Sequence, residues 1–204
     1  MTTELLLAFI AFAFVTSVTP GPNNMMLLAS GINFGLRRSL PHLLGISLGM
    51  LVMVSAIGFG LGELLKLFPP LYNVLRYGGA AYLLYLSWKI ATAGAPQDNG
   101  ENSGSPMSFI QAVAFQWINP KAWIMSIAAI STYAPAQPLA TQILLIAGLF
   151  ALINYPTCSL WILAGSLLRR ALQNPRRLRQ FNYVMALMLV LSLYPILLPP
   201  PGVV

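Results

Sequence analysis

Apolar residues in this chain gather in long runs instead of alternating or forming narrow amphipathic stripes. Six runs reach the length of about 20 residues that a bilayer-spanning helix needs: about 5–32, 40–62, 69–91, 107–131, 139–167 and 180–198. Most connectors between them are short. One exception is 93–106, rich in Gly, Ser, Asn and Pro and carrying Asp98 and Glu101; another is the basic stretch from Arg169 to Arg179. The first reads as a solvated linker. It divides a single transmembrane domain, 1–204, into halves 1–92 and 107–204 with three helices each. Three is odd, so the second half enters the membrane from the opposite side. The expectation is an all-α membrane protein of six transmembrane helices, built as two inverted three-helix repeats.

Two interruptions echo each other across the halves. Helix 1 is broken by Thr19-Pro20-Gly21-Pro22-Asn23-Asn24, and helix 4 by Asn119-Pro120-Lys121. Proline removes a backbone donor and clashes with the preceding turn, so Pro20 should end one segment. Pro22 and Pro120 suit the first position of a new segment, where the missing N–H would be unpaired anyway. Asn119 is placed to cap the second segment. Inside a bilayer the freed backbone groups must be met by protein or by a water-filled cavity. A segment N-terminus there offers unpaired N–H groups and partial positive charge, suited to a carboxylate. A proline kink used only for packing is the plainer alternative. Lys121 adds a charge near mid-span, where insertion costs at least about 2.5–3.5 kcal/mol and ionisable residues usually mark a pathway. Gln116, one turn before the second break, either bonds across the cavity or joins helices. The candidate site is therefore Pro20, Gly21, Pro22, Asn23, Asn24, Gln116, Asn119, Pro120 and Lys121. A zwitterion fits between two such breaks, its carboxylate on N–H groups or Lys121 and its ammonium on released carbonyls.

Composition changes the picture in one respect: the solvent is lipid. Of 204 residues 57% are hydrophobic and 7% charged, against about 25% charged in soluble domains. The mean hydropathy is +0.74. The net charge is +7, from eleven Lys and Arg against four Asp and Glu. Arg37, Arg38, Lys89, Arg169, Arg170, Arg176, Arg177 and Arg179 follow helices 1, 3 and 5, with only Lys66 and Arg76 opposite. That asymmetry is a topology signal, not a nucleic-acid footprint, and puts both termini on the outer face. Tyr72, Tyr77 and Trp88 fit an interfacial aromatic belt.

Weaker features default to packing. Gly45 with Gly49, and Gly58 with Gly62, permit close helix approach. Asn154, Tyr155 and Pro156 fall midway along helix 5 and either line the cavity or pack. Cys158 reads as packing, His42 as interfacial, and Glu63 with Lys66 as a solvated pair. One histidine and one cysteine exclude an all-protein His/Cys zinc site, and neither a Gly-x-Ser-x-Gly elbow nor a Walker motif occurs. No enzyme chemistry, metal or cofactor is expected.

The same residues resemble the LysE/RhtB family of amino-acid exporters over nearly the whole chain. The similarity is anchored by Thr19-Pro-Gly-Pro-Asn23, Asn33-Phe-Gly-Leu-Arg-Arg-Ser39, Gly45-Ile-Ser-Leu-Gly49, Gly78-Gly-Ala-Ala-Tyr-Leu83 with Trp88-Lys89, and Phe115-Gln116 leading into Asn119-Pro120-Lys121. The resemblance implies a bacterial inner-membrane exporter driven by the proton-motive force, with protons as coupling ion and a homodimeric state. Within the family the chain looks most like exporters of cysteine and O-acetylserine, then of homoserine and threonine. An exporter of basic amino acids fits less well, because helix 2 has no acidic residue in its apolar middle to pair a cationic side chain. The competing class is a passive channel for small solutes.

Overall fold

Seven α-helices and no strand occur among the residues that the computed structural model describes, 1–62, 69–92, 105–172 and 174–194. Most of the 93–106 linker, the Glu63–Lys66 pair, the Tyr72 side chain and the C-terminal residues 195–204 lie outside the described set. Helix α1 spans Thr3–Val18, and the Thr2 hydroxyl accepts from the Leu5 N–H at 3.3 Å to cap it. Helix α2 spans Pro22–Ala56 and runs on through a π turn at Ile57–Leu61. Helix α3 is Pro69–Ala91. Helix α4, Phe109–Phe115, begins on a reciprocal cap between Ser108 and Gln111, and a 3-10 turn, Gln116–Ile118, ends it. Helix α5 is Pro120–Tyr133, α6 is Ala140–Ala171 and α7 is Pro175–Leu191.

These bounds refine the six runs read from sequence. The connector expected between the first two runs shrinks to one residue. Gly35 sits at φ 76°, ψ 176°, a conformation open essentially to glycine alone, and bends α2 into a first limb ending at Phe34 and a second starting at Leu36. The last helix starts at Pro175, about five residues before the expected 180, because Asn174 caps it by accepting from the Arg176 N–H at 2.9 Å. Pro22–Leu61 and Ala140–Arg169 are long and apolar enough to cross a bilayer. The chain is also inside-out by soluble standards. Leu152, Leu167 and Ile110 are 69%, 77% and 76% exposed, while Asn24, Gln116, Asn119 and Asn154 are buried. An apolar exterior around polar interior groups is what lipid requires.

Between helices in lipid, association rests on close packing and hydrogen bonds, because the tails are as apolar as leucine. Glycines supply the closeness. A Cβ on Gly31 would run into the Ile162 carbonyl, and one on Gly165 into the Leu28 carbonyl. The first limb of α2 and α6 therefore lie antiparallel with their backbones in contact. A Cβ on Gly45 would strike Phe109 and Ala112, and one on Gly49 would lie 2.7 Å from the Gln116 side chain. The second limb thus runs parallel to α4. Ser87 donates to the Ala186 carbonyl at 2.7 Å and ties α3 to α7. These contacts bring both helix breaks to one place.

At Gly165 the obstacle to a side chain is backbone, which cannot swing aside. Gly165→Ala should lower stability by about 1–3 kcal/mol, read as an earlier thermal transition in detergent. Gly78→Ala, with nothing within 4 Å of its Cβ position, should leave the transition unchanged. Equal transitions for both would mean that α2 and α6 are not held at backbone contact.

Candidate functional site at two helix breaks

The first break forms where the sequence places it. Pro20 bars Thr19 from helical geometry, and Thr19 is extended at φ −63°, ψ 142°. Gly21 is extended too, and Pro22 opens α2 as its first residue. At the second break the 3-10 turn ends on Asn119, whose side chain accepts from the Lys121 N–H at 3.1 Å, and Pro120 opens α5. The two N-termini differ in one respect. That of α5 is capped by Asn119, whereas that of α2 has no side-chain cap.

Two sets of bonds join the breaks. The Lys121 ammonium donates to the Thr19 carbonyl at 2.6 Å, the Thr19 hydroxyl at 2.8 Å and the Pro20 carbonyl at 3.4 Å. It thereby sits at the C-terminal end of α1, where the helix dipole favours a cation. Gly21 leaves the passage for it: a Cβ there would lie 2.7 Å from Lys121 Cδ and 3.2 Å from its Nζ. Asn23 and Gln116 form a reciprocal amide pair, with Asn23 Nδ2 donating at 2.9 Å and Gln116 Nε2 at 3.2 Å. Gln116 Nε2 also reaches the Ala112 carbonyl at 3.0 Å.

Behind these lies a buried polar chain. Asn24 Nδ2 donates to the Ser17 and Thr19 carbonyls, both at 2.7 Å, mending the end of α1. The Cys158 thiol points to Asn24 Oδ1 at 3.5 Å. Asn154 donates to the Ser17 hydroxyl at 3.0 Å and accepts from the Ser47 hydroxyl at 3.2 Å. A cavity of about 20 Å³ opens among these groups, bounded by Gly21, Asn23, Asn24, Asn119, Lys121, Asn154 and Cys158 on its polar side. That is room for about one water, and far less than an amino acid occupies.

Of the nine residues picked from sequence, Gly21, Asn23, Asn24, Asn119 and Lys121 line the cavity. Gln116 anchors Asn23 beside it, Pro20 gives a carbonyl to Lys121, and Pro22 and Pro120 start the helices. Asn154 takes the cavity side of the two readings open to it, while Tyr155 and Pro156 face outward. Cys158 packs in an apolar cluster with Leu27 and Ile162 and also borders the cavity. His42, near the start of the second run, is 2% exposed and neither ring nitrogen has a partner. The pattern gave no sign of Thr16, Ser17, Met50, Ala122 or Met125, although Ser17 lies one turn before the first break and Cys158 one turn after Asn154. Among the described residues no group of His, Cys, Asp and Glu could hold a metal.

Residues 14–193 match the LysE type translocator family, and both breaks fall inside that span. The chain belongs to this family. Its members are membrane proteins, and the translocator assignment points away from an enzyme. The translocator is 37% identical over 194 residues to the cysteine/O-acetylserine efflux protein of Salmonella typhimurium, covering 93% of this chain and 96% of that relative. Proteins of the same name from Escherichia coli K12 and Shigella sonnei are each 36% identical over the same shares. No solved structure matches the translocator at a significant level.

The amide pair makes a quantitative expectation. In a double-mutant cycle of Asn23→Ala and Gln116→Ala, followed by unfolding in detergent, the two residues should couple by about 0.5–1.5 kcal/mol. Additive losses would show that the pair does not join the breaks.

Proposed function

We propose that this translocator exports small neutral amino acids, of the cysteine/O-acetylserine or homoserine/threonine type, across the bacterial inner membrane in exchange for protons. One observation carries the reading. Lys121 brings an ammonium beside the uncapped N-terminus of α2, and Glu4, far off at the start of α1, is the only acidic residue among the described ones. Two positive ends meet with no carboxylate of the described residues between them. A substrate carboxylate completes that arrangement, held by Lys121 and the first turn of α2. The substrate ammonium then takes oxygens at the end of α1, such as the Ser17 carbonyl, together with Asn24 or Asn154. The names of the relatives support an amino acid as the substrate class.

In this reading α1 with the first limb of α2, and α4 with α5, are the broken first helices of two inverted repeats of a six-span protein, with both termini periplasmic. The resemblance adds a homodimer. The cross-break bonds belong to a closed state. Opening toward either side requires Lys121 to leave Thr19, and a bound carboxylate compensates the ammonium when it does. The exchange of a backbone partner for a carboxylate is the step at which Lys121 can gain or lose a proton. His42, buried without a partner, is a second nitrogen base available to the proton path.

Inverted vesicles test this. Uptake of labelled O-acetylserine or threonine should rise with an imposed proton gradient and exceed uptake of lysine or arginine. Lys121→Gln should abolish binding and uptake together. Lys121→Arg should bind yet lose the response to the gradient, because guanidinium does not deprotonate. Gradient-independent flux in the unaltered protein would make it a passive channel. A Lys121→Gln variant that exports normally at every pH would remove both roles given to Lys121. A reporter fused after Val204 should be active only outside the inner membrane; cytoplasmic activity would overturn the topology.

A further inference from the structure

The cavity between the breaks is lined by polar groups, among them Asn23, Asn24, Asn119, Lys121 and Asn154, and by Met50, Ala122 and Met125, which belong to one apolar cluster. Met50 comes from the second limb of α2, while Ala122 and Met125, three residues apart, share a face of α5. All three are buried, and none is needed to mend a broken helix. The same cluster holds Phe9, Met53, Ala129 and Phe150. Nothing in it carries charge.

We propose that Met50, Ala122 and Met125 form the side-chain subsite of the transported amino acid and restrict it to short, uncharged side chains. This rests on the reading above, in which the polar groups hold the substrate's ammonium and carboxylate. With both charged ends held by the polar groups, the α-carbon substituent is left to the apolar lining. A lysine or arginine side chain would have to bury its charge against two thioethers with no acceptor, at a cost that a neutral chain avoids. A long neutral chain would meet the methionines and the cluster behind them. Methionine is unbranched and polarisable, so two of them can withdraw enough to admit a thiol, hydroxyl or small ester and close around it. Ala122 is the smallest of the three, and a larger residue there takes room from the substrate side chain.

The test is competition against labelled serine uptake in inverted vesicles, using serine, cysteine, O-acetylserine, methionine and leucine. The unaltered protein should favour the first three. Met50→Ala with Met125→Ala should raise the competition by methionine and leucine relative to serine by roughly tenfold or more, the usual scale for a methylene in an apolar pocket. Ala122→Val should do the reverse, losing O-acetylserine while keeping serine, and it guards against the double variant failing to fold. Met125→Leu, of similar volume, should keep the original profile. An unchanged profile in both the double variant and Ala122→Val, with serine uptake intact, would overturn the subsite. Absence of any amino-acid uptake in the unaltered protein would instead overturn the export reading on which it stands.

Discussion

A broken helix leaves carbonyls and N–H groups without partners in its own ladder, and the groups at the junction of the two breaks answer that constraint. Thr19 and Pro20 expose the end of α1; Asn24, from the next helix, takes two of the carbonyls there. Lys121, from the other half of the chain, takes the Thr19 and Pro20 carbonyls. Asn119 repairs the start of α5 with its own side chain. What the protein leaves unrepaired is the start of α2, where glycine stands in the cap position. The uncapped start of α2 and the half-buried Lys121 are therefore neighbours.

The close packing of the rest of the fold serves this junction. Gly31 and Gly165 let α2 and α6 touch along their backbones, which brings Asn154 and Cys158 of α6 up to Asn24 and Ser17. Gly49 makes room for Gln116, which then reaches Asn23. Glycines thus stand beside the polar bonds that join α2 to α4 and to α6. The joints are individually modest, since hydrogen bonds between helices in lipid contribute on the order of 1 kcal/mol. A junction held by a few such bonds can be parted at modest cost.

Much of this was legible in the chain. Long apolar runs, paired prolines and a mid-span lysine located the helices and both breaks, because proline chemistry is local and needs no tertiary context. The joint at Gly35 was not legible as such: a glycine followed by Leu36, Arg37 and Arg38 reads as a loop, yet one residue in a glycine-only conformation does the turning. Ser17, Met50 and Met125 were invisible for a different reason. A serine or methionine in an apolar helix looks the same whether it faces lipid, a neighbour or a cavity, and only the packing of α2 on α5 and α6 decides. The enclosure of His42 was not legible either, because its place near the start of a helix says nothing of which neighbours cover the ring.

The central claim is that the junction of the two breaks is where the substrate binds, and the chain carries its own reporter of it. Cys158 is the single cysteine and borders the cavity, with its thiol against Asn24. The rate at which N-ethylmaleimide alkylates Cys158 in membranes, measured against increasing concentrations of O-acetylserine or threonine, tests the claim most directly. If the substrate occupies the junction, alkylation slows with a saturable dependence on that amino acid and is indifferent to arginine. An alkylation rate that no amino acid changes at any concentration would place the substrate elsewhere.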